Sequence, residues 1–226
     1  MKVLYVSDLD GTLLNENSSI SEQSLSILNT LIKKGVAFTF ATARSLHSAA
    51  KVTKGLQLKL PLIVYNGVYV LDAKDHHILA QQEFTKQQLE QILRIGDAYR
   101  QYPFVYAYIN GVERVSYLPD TLHPGGWHYR NSRMDDKRFR SIVSAQQLLD
   151  GDSFYVTFIN DKEALQPIYE QLCALDTFTI TFQRELGREE YWLEVMPATA
   201  SKANAILKLK ELGGFDHVVC FGDAIN

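Results

Sequence analysis

The stretch VLYVSDLDGT, residues 3–12, joins a short apolar run to a pair of carboxylates. An uninterrupted apolar run of this kind is typical of a strand that is buried on both faces of a parallel sheet. Ligands of open parallel sheets bind beyond the carboxyl ends of the strands, which is where Asp8 and Asp10 fall. Gly11 allows a tight turn there, and Thr12 adds a hydroxyl donor. The stretch therefore predicts an α/β fold with a ligand site at its first loop.

Two carboxylates two residues apart can converge on one cation. Magnesium commonly takes one or two carboxylates together with phosphate oxygens, and a carboxylate can also attack phosphorus to form an aspartyl-phosphate. An acidic turn without chemistry is the alternative, and this stretch alone leaves it open. A calcium loop of the EF-hand type is excluded, because its twelfth position counted from Asp8 is Ser19, which has no carboxylate.

Strand and helix patterns alternate outward from this stretch. Further apolar runs predict strands at 36–41, 62–65 and 217–221, and we expect the last of these to be buried. Amphipathic patterns predict a helix that ends at Gly35 and another at 201–212. Strands separated by amphipathic helices imply right-handed crossovers, so we expect a Rossmann-like core with a parallel sheet.

Residues 83–193 have a different pattern. A helix is predicted at 86–102, and strand-like runs surround Asn110-Gly111, the strongest short hairpin signal. Hairpins together with helices indicate an α+β unit with an antiparallel sheet. We therefore expect two domains, an α/β core formed by 1–82 and 194–226 and an α+β domain inserted at 83–193.

The composition of the 226 residues argues against several classes of protein. A formal charge of −3 argues against a broad nucleic-acid surface, which needs a basic patch. No apolar stretch approaches 18 residues, so we expect no transmembrane helix and no membrane partner. Two cysteines are too few for a disulfide framework and favour reduced thiols in the cytoplasm. The expected partner is a small molecule, and the expected assembly is a monomer or a weak homodimer.

Three further places carry candidate chemistry. Thr42 and Arg44 follow the second strand, where they could donate hydrogen bonds to a phosphate. Lys202 lies at the start of a predicted helix, whose positive end favours anions. Asp223 follows the last strand, at a place where a further carboxylate could bind the same metal. Each residue alone has an ordinary explanation as a cap, a surface charge or a turn. Together with the carboxylates of the first loop they indicate phosphoryl chemistry, which depends on positioning and charge stabilisation.

The ordered set of motifs resembles the haloacid dehalogenase-like (HAD-like) hydrolases. Matches to the four motifs of that family are Asp8-x-Asp10-Gly11-Thr12, Thr42, Lys202 and Gly222-Asp223-x-x-Asn226. Pieces similar to its Cof-type sugar-phosphatase subgroup are Thr42-Ala43-Arg44, Asn66-Gly67 and Glu194-Val195-x-Pro197. That subgroup carries a large α+β cap between its second and third motifs, which is where the insertion is predicted.

The resemblance also implies a role for each matched residue. Asp8 would attack phosphorus, and Asp10 would protonate the leaving alcohol and then deprotonate water. Mg²⁺ would be held by Asp8, the Asp10 carbonyl and Asp223. Thr42 and Lys202 would bind the phosphoryl oxygens as catalytic residues. Substrate contacts are implied for Thr12, Arg44, Asn66, Gly67 and Asn226. The pair Asn66-Gly67 also fits a hairpin tip, which is compatible with a ligand contact.

The sequence departs from the family's fourth motif, which normally ends with a second acid after the residue matched by Asn226. This departure leads us to expect a truncated chain. The expected function is a Mg²⁺-dependent phosphatase that acts on small phosphate monoesters through an aspartyl-phosphate. The alternatives are a catalytically impaired fragment that only binds phosphorylated ligands, and a phosphomutase on the same core.

Overall fold

The computed structural model describes residues 1–185 and 187–223. The strands in chain order are β1 (Val3–Ser7), β2 (Ala37–Phe40), β3 (Leu62–Val64), β4 (Tyr69–Leu71), β5 (Ile78–Gln81), β6 (Phe104–Ile109), β7 (Val112–Tyr117), β8 (Phe139–Ser141), β9 (Asp152–Asn160), β10 (Phe178–Arg184), β11 (Tyr191–Pro197) and β12 (His217–Phe221). The α-helices are α1 (Glu22–Lys33), α2 (Leu46–Val52), α3 (Lys86–Ala98), α4 (Pro124–Asn131), α5 (Lys162–Cys173) and α6 (Lys202–Gly213). Short helical turns lie at Leu9–Leu13, Tyr65–Gly67, Pro119–Thr121 and Ala145–Leu149. Within those described residues, no helix has the length and apolar character that a membrane span needs.

Contacts divide the chain into two compact units, Met1–Gln82 with the chain from Ala200 onward, and Glu83–Thr199. The first unit holds a parallel sheet in the order β12-β1-β2, and a parallel bridge between Ala41 and Ile63 links β2 to β3. Strands β3, β4 and β5 form an antiparallel sheet in the same unit. The parallel strands and their connecting helices confirm the predicted α/β fold class.

The apolar side of helix α6 covers part of the parallel sheet. Ala205 and Leu209 are about one turn apart, so they lie on one side of the helix. Both are buried in one cluster with Leu4 and Val6 of β1. Lys202 precedes Ala205 by three residues and therefore shares the covered side, where it is only 7% exposed. The packing of α6 thus decides that its first side chain points inward.

Strand β12 has a different environment from the one predicted. Its bounds agree with the prediction for 217–221, but the expected burial was wrong, since Val219 is 38% and Phe221 is 50% exposed. The strand pairs in parallel with β1, with Cys220 opposite Val6. In the described part of the chain, no strand pairs with its other side. Its exposure follows from this position at the edge of the sheet.

The second unit is built on a six-stranded sheet in the order β10-β11-β9-β6-β7-β8. Strands β6 and β7 form the predicted hairpin, and its turn residues Asn110 and Gly111 both have positive φ, 51° and 76°, as a type I′ turn requires. Helices α3 and α5 cover one face of the sheet. Their residues Ile92 and Leu165 are fully buried in a cluster that includes Val156 of β9.

The second boundary between the units falls after Thr199, whereas the sequence placed it after residue 193. The cause is β11, which pairs with both β9 and β10. Its Glu194 lies opposite Thr157 on one side and Thr181 on the other. The Thr181 hydroxyl also donates a hydrogen bond to the Glu194 carboxylate at 2.8 Å. Because of these contacts, the segment around Glu194 belongs to the six-stranded sheet of the second unit.

We expect Leu209→Ala to lower the free energy of unfolding by about 2–5 kcal/mol, because it leaves a cavity in the core of the first unit. Leu207→Ala on the same helix is the matched control. Leu207 is 55% exposed, so its truncation should change the free energy by less than about 0.5 kcal/mol. Urea unfolding followed by far-ultraviolet circular dichroism measures both values. Equal losses in the two variants would contradict the orientation of α6.

Candidate active site

Three hydrogen bonds fix Asp8 at the carboxyl end of β1. Its N–H donates to the Phe221 carbonyl at 2.8 Å, which extends the pairing of β1 with β12. The Leu9 N–H donates to Asp8 Oδ1 at 2.7 Å, and Lys202 Nζ donates to Oδ2 at 2.5 Å. The Asp8 side chain is 12% exposed and that of Lys202 is 8% exposed. The carboxylate is therefore held in one orientation beside a cation that is largely shielded from water.

Lys202 reaches Asp8 from the first position of α6. Ser201 caps this helix through its side chain. The short turn at residues 65–67 approaches the cap closely, because a Cβ placed on Gly67 would lie 2.1 Å from the Ser201 carbonyl oxygen. Gly67 also has a φ of +92°, which a larger residue rarely adopts. Gly67, predicted as a substrate contact, thus lies against the backbone that positions Lys202.

Asp223 lies against the loop that carries Asp8 and Asp10. A Cβ placed on Gly11 would be 2.2 Å from Asp223 Oδ2, and Gly11 has a φ of +70°. Only glycine leaves room for this approach of the carboxylate to the loop backbone. The carboxylates of this region are oxygen donors, which fit a hard divalent cation such as Mg²⁺.

Thr42 is fully buried where β2 gives way to the next turn. Its N–H donates to the Ile63 carbonyl at 3.0 Å, and its carbonyl accepts from the Asn66 N–H at 2.9 Å. Its Oγ1 accepts from the Arg44 N–H at 3.1 Å, which leaves the hydroxyl hydrogen to donate elsewhere. Thr12 Oγ1 is buried and makes no hydrogen bond within the described residues. Both hydroxyls are therefore suited to donate to a ligand.

Arg44 and Asp10 form a two-pronged ion pair. Arg44 Nε donates to Asp10 Oδ2 at 2.8 Å, and Nη2 donates to Oδ1 at 2.7 Å. The hydrogen bond to Asp10 raises the pKa of Arg44, and partial burial opposes this effect. The Asp10 side chain is 53% exposed and that of Arg44 is 23% exposed. Arg44, predicted as a substrate contact, thus lies on the carboxylate predicted to move protons.

The structure brings most of the predicted residues to the first loop, the ends of β2 and β3, and the start of α6. They are Asp8, Asp10, Thr12, Thr42, Arg44, Asn66, Gly67, Lys202 and Asp223. Asn226 lies outside the described residues. Sequence reasoning missed the pairing of Arg44 with Asp10. The available signal was their opposite charge beyond the ends of two adjacent parallel strands.

A second acidic cluster lies in the turn between β4 and β5. Ligand atoms of Asp72, Asp75 and His77 all lie within 4.8 Å of one another, and the last two side chains are exposed. The His77 ring contacts Asp75 at 2.6 Å. This hydrogen bond raises the pKa of His77 and lowers the pKa of Asp75. The sequence analysis did not single out this cluster, although the stretch DAKDHH shows its residue types.

A polar cavity of about 210 Å³ lies within the second unit beside α4. Its lining includes Tyr129, Trp192, Arg188, Glu185 and Glu190. Burial raises the pKa of Glu185, whereas the hydrogen bond from Arg188 lowers the pKa of Glu190. The cavity thus mixes aromatic walls with charges of both signs.

Known proteins resemble this chain over nearly its whole length. The sequence model of the haloacid dehalogenase-like hydrolases matches residues 5–226. A protein of Buchnera aphidicola that is named as a phosphatase is 25% identical over 100% of this chain and 81% of its own length. The HMP-PP phosphatase of Cronobacter sakazakii is 26% identical over 97% of this chain and 76% of its own.

The fold is also found among solved structures. A haloacid dehalogenase-like hydrolase from Bacteroides thetaiotaomicron superposes with a TM-score of 0.76 at 19% identity, covering 99% of this chain and 82% of the other. That likeness confirms the predicted fold class, a parallel-sheet core with an inserted α+β part. Since the family match covers almost every residue, the motifs and the fold lead to the same assignment. The chain belongs to the haloacid dehalogenase-like hydrolases, as its four motifs predicted.

Proposed function

We propose that this chain is a Mg²⁺-dependent phosphatase that hydrolyses small phosphate monoesters, such as sugar phosphates, through an aspartyl-phosphate on Asp8. The observation that carries this proposal is the Asp8 carboxylate held by the Leu9 N–H and by Lys202. A nucleophilic carboxylate needs an oriented oxygen and a cation nearby, and these contacts provide both. The names of the two relatives, both phosphatases, support the same class of reaction.

In the first step an Asp8 oxygen attacks phosphorus, and the bond from phosphorus to the ester oxygen breaks. Because the Leu9 N–H already orients the carboxylate, little rotational freedom remains to be lost. Lys202 then donates to the phosphoryl oxygens, where negative charge collects in the transition state. The hydroxyls of Thr42 and Thr12 donate to the same oxygens, since neither hydrogen has a described protein acceptor.

Asp10 moves the protons in both steps. It gives a proton to the leaving alcohol, and it then takes a proton from the water that attacks the phosphoryl group on Asp8. Its side chain is 53% exposed, so water has access to it. Attack by water releases inorganic phosphate and regenerates the Asp8 carboxylate. The covalent intermediate divides one difficult displacement into two easier ones.

Asp8, the Asp10 carbonyl and Asp223 would hold Mg²⁺, and their oxygen donors fit that ion. When bound, Mg²⁺ supplies charge neutralisation for the phosphoryl oxygens. Gly11 is needed for this arrangement, because any side chain at that position would collide with Asp223.

The proposed setting is the cytoplasm, with a small phosphorylated molecule as the substrate and a monomer or a weak homodimer as the assembly. Cys173 and Cys220 are both free thiols, which suits a reducing compartment. The net charge of −3 favours a small molecule over nucleic acid as the ligand. We assign the unit Glu83–Thr199 as the inserted cap domain that the motifs imply.

Asp8→Asn should lower phosphate release from p-nitrophenyl phosphate by more than about 1,000-fold, because it removes the nucleophile. Asp135→Asn, at an exposed position of the second unit, is the control and should keep the wild-type rate. Mass spectrometry after an acid quench should find the phosphoryl group on Asp8 in the wild type. Undiminished turnover by Asp8→Asn would contradict the mechanism.

Removal of divalent metal with EDTA should abolish phosphate release, and added Mg²⁺ should restore it. Asp223→Asn should raise the Mg²⁺ concentration for half-maximal rate by about 10-fold or more, since it replaces an anionic metal ligand by a neutral amide. Asp75→Asn, in the acidic cluster between β4 and β5, should leave that concentration unchanged. The metal assignment is wrong if Asp75→Asn shifts the Mg²⁺ requirement and Asp223→Asn does not.

A further inference from the structure

We propose that Arg44 is a positioning residue that acts through Asp10: it orients the general acid and does not bind the phosphoryl group. This inference rests on the proposed function, in which Asp10 moves the protons. It assigns Arg44 a different task from the substrate contact that the family motif implies.

The side-chain contacts of Arg44 support this assignment. Nε and Nη2 donate to the two oxygens of Asp10 at 2.8 and 2.7 Å, and Nη1 donates to Ser48 Oγ at 3.1 Å. The planar guanidinium matches a carboxylate in this two-pronged geometry. All three nitrogens thus already donate within the first unit. A two-pronged contact with a phosphate through Nε and Nη2 would require the pair with Asp10 to break.

The backbone of Arg44 is anchored on both sides of the side chain. Its N–H donates to Thr42 Oγ1 at 3.1 Å, and its carbonyl accepts from the Tyr65 N–H at 3.0 Å. These bonds join Arg44 to the ends of β2 and β3. The guanidinium is therefore offered to Asp10 from a fixed origin, which is what a positioning role requires.

Among the described residues, Arg44 alone holds the Asp10 carboxylate, which lies on a short turn with 53% of its side chain exposed. An exposed aspartate samples several rotamers, and a displacement of 1 Å can cost about 100-fold in rate. Each carboxylate oxygen has two lone-pair directions, so the contact with Arg44 leaves a place for the transferred proton. A partly exposed ion pair adds little to folding stability, so loss of the pair should appear in the kinetics.

The test compares two esters of similar shape, p-nitrophenyl phosphate and phenyl phosphate. The nitrophenolate leaves readily without a proton, whereas the phenolate depends more on the general acid. Arg44→Met should lower kcat/KM for phenyl phosphate about 10-fold more than for p-nitrophenyl phosphate, which is a part of the roughly 100- to 10,000-fold that general acid catalysis contributes. Asp10→Asn should show the same dependence on the leaving group. In the Asp10→Asn background, Arg44→Met should cause no further loss.

A phosphate-binding role for Arg44 predicts other results. It would lower kcat/KM for both esters by the same factor, weaken inhibition by inorganic phosphate, and add its full loss to that of Asp10→Asn. Any of these results from a folded variant overturns the inference. Arg94→Met, at an exposed position in α3, is the control and should match the wild type. Absence of phosphate release by the wild type would instead refute the proposed function, so the two failures are distinguishable. If the wild type releases no phosphate, calorimetry of inorganic phosphate binding still tests Arg44. Arg44→Met should lower the affinity for phosphate only if Arg44 contacts the phosphate directly.

Discussion

The parallel alignment of β1 with its two neighbours is the constraint on which the site depends. Ser7, the last residue of β1, lies opposite Phe40 of β2 and opposite Phe221 of β12. The chain therefore leaves all three strands at the same level, and the residues that follow them meet at one edge. A slip of two residues in β12 would move Asp223 by about 6.6 Å, since a strand rises about 3.3 Å per residue. The register of the sheet thus sets the distances between the side chains that follow the three strands.

The two carboxylates at this edge of the sheet also need nearby positive charges. Asp8 and Asp10 are two residues apart, and carboxylates placed close together repel each other. Each has its own cation from a different element, Lys202 from the start of α6 and Arg44 from the end of β2. The first pair is nearly buried and the second is half open to water, so the two carboxylates of one short loop have different environments. This difference suits a nucleophile and a proton carrier respectively.

Patterns in the sequence were sufficient for the strands and helices of the first unit's parallel sheet and for the family, but not for every helix or for contacts between distant residues. The helix predicted at 201–212 lies within one residue of those bounds in α6, Lys202–Gly213, because its apolar residues fall on one helix face. The helix α4 was missed, since Pro124, Gly125 and Gly126 are poor helix formers. Tertiary packing explains it: Tyr129 is buried, with its ring 5.0 Å from that of Trp192.

The remaining differences also have physical causes. A Cβ on Gly125 would lie 2.5 Å from the Glu190 side chain, so a glycine that weakens the helix is needed where α4 passes that residue. The exposure of β12 depends on which strands pair beside it, and the pair of Arg44 with Asp10 spans 34 positions. Local periodicity carries no information about either. Residue type at the ends of strands was the signal that placed Asp8, Thr42 and Asp223 in one region.

The close approach of Gly67 to Ser201 has a consequence for biosynthesis. It joins two segments separated by the whole unit Glu83–Thr199, and the bond from Lys202 to Asp8 spans 194 positions. A ribosome makes Asp8 among the first residues of the chain and Lys202 only after the intervening unit has been synthesised. Because domains generally fold as units during synthesis, the nascent chain carries its nucleophile without the cation that holds it in place until the unit Glu83–Thr199 has been made. The site therefore becomes competent only after the intervening unit has been synthesised, when Lys202 can reach Asp8.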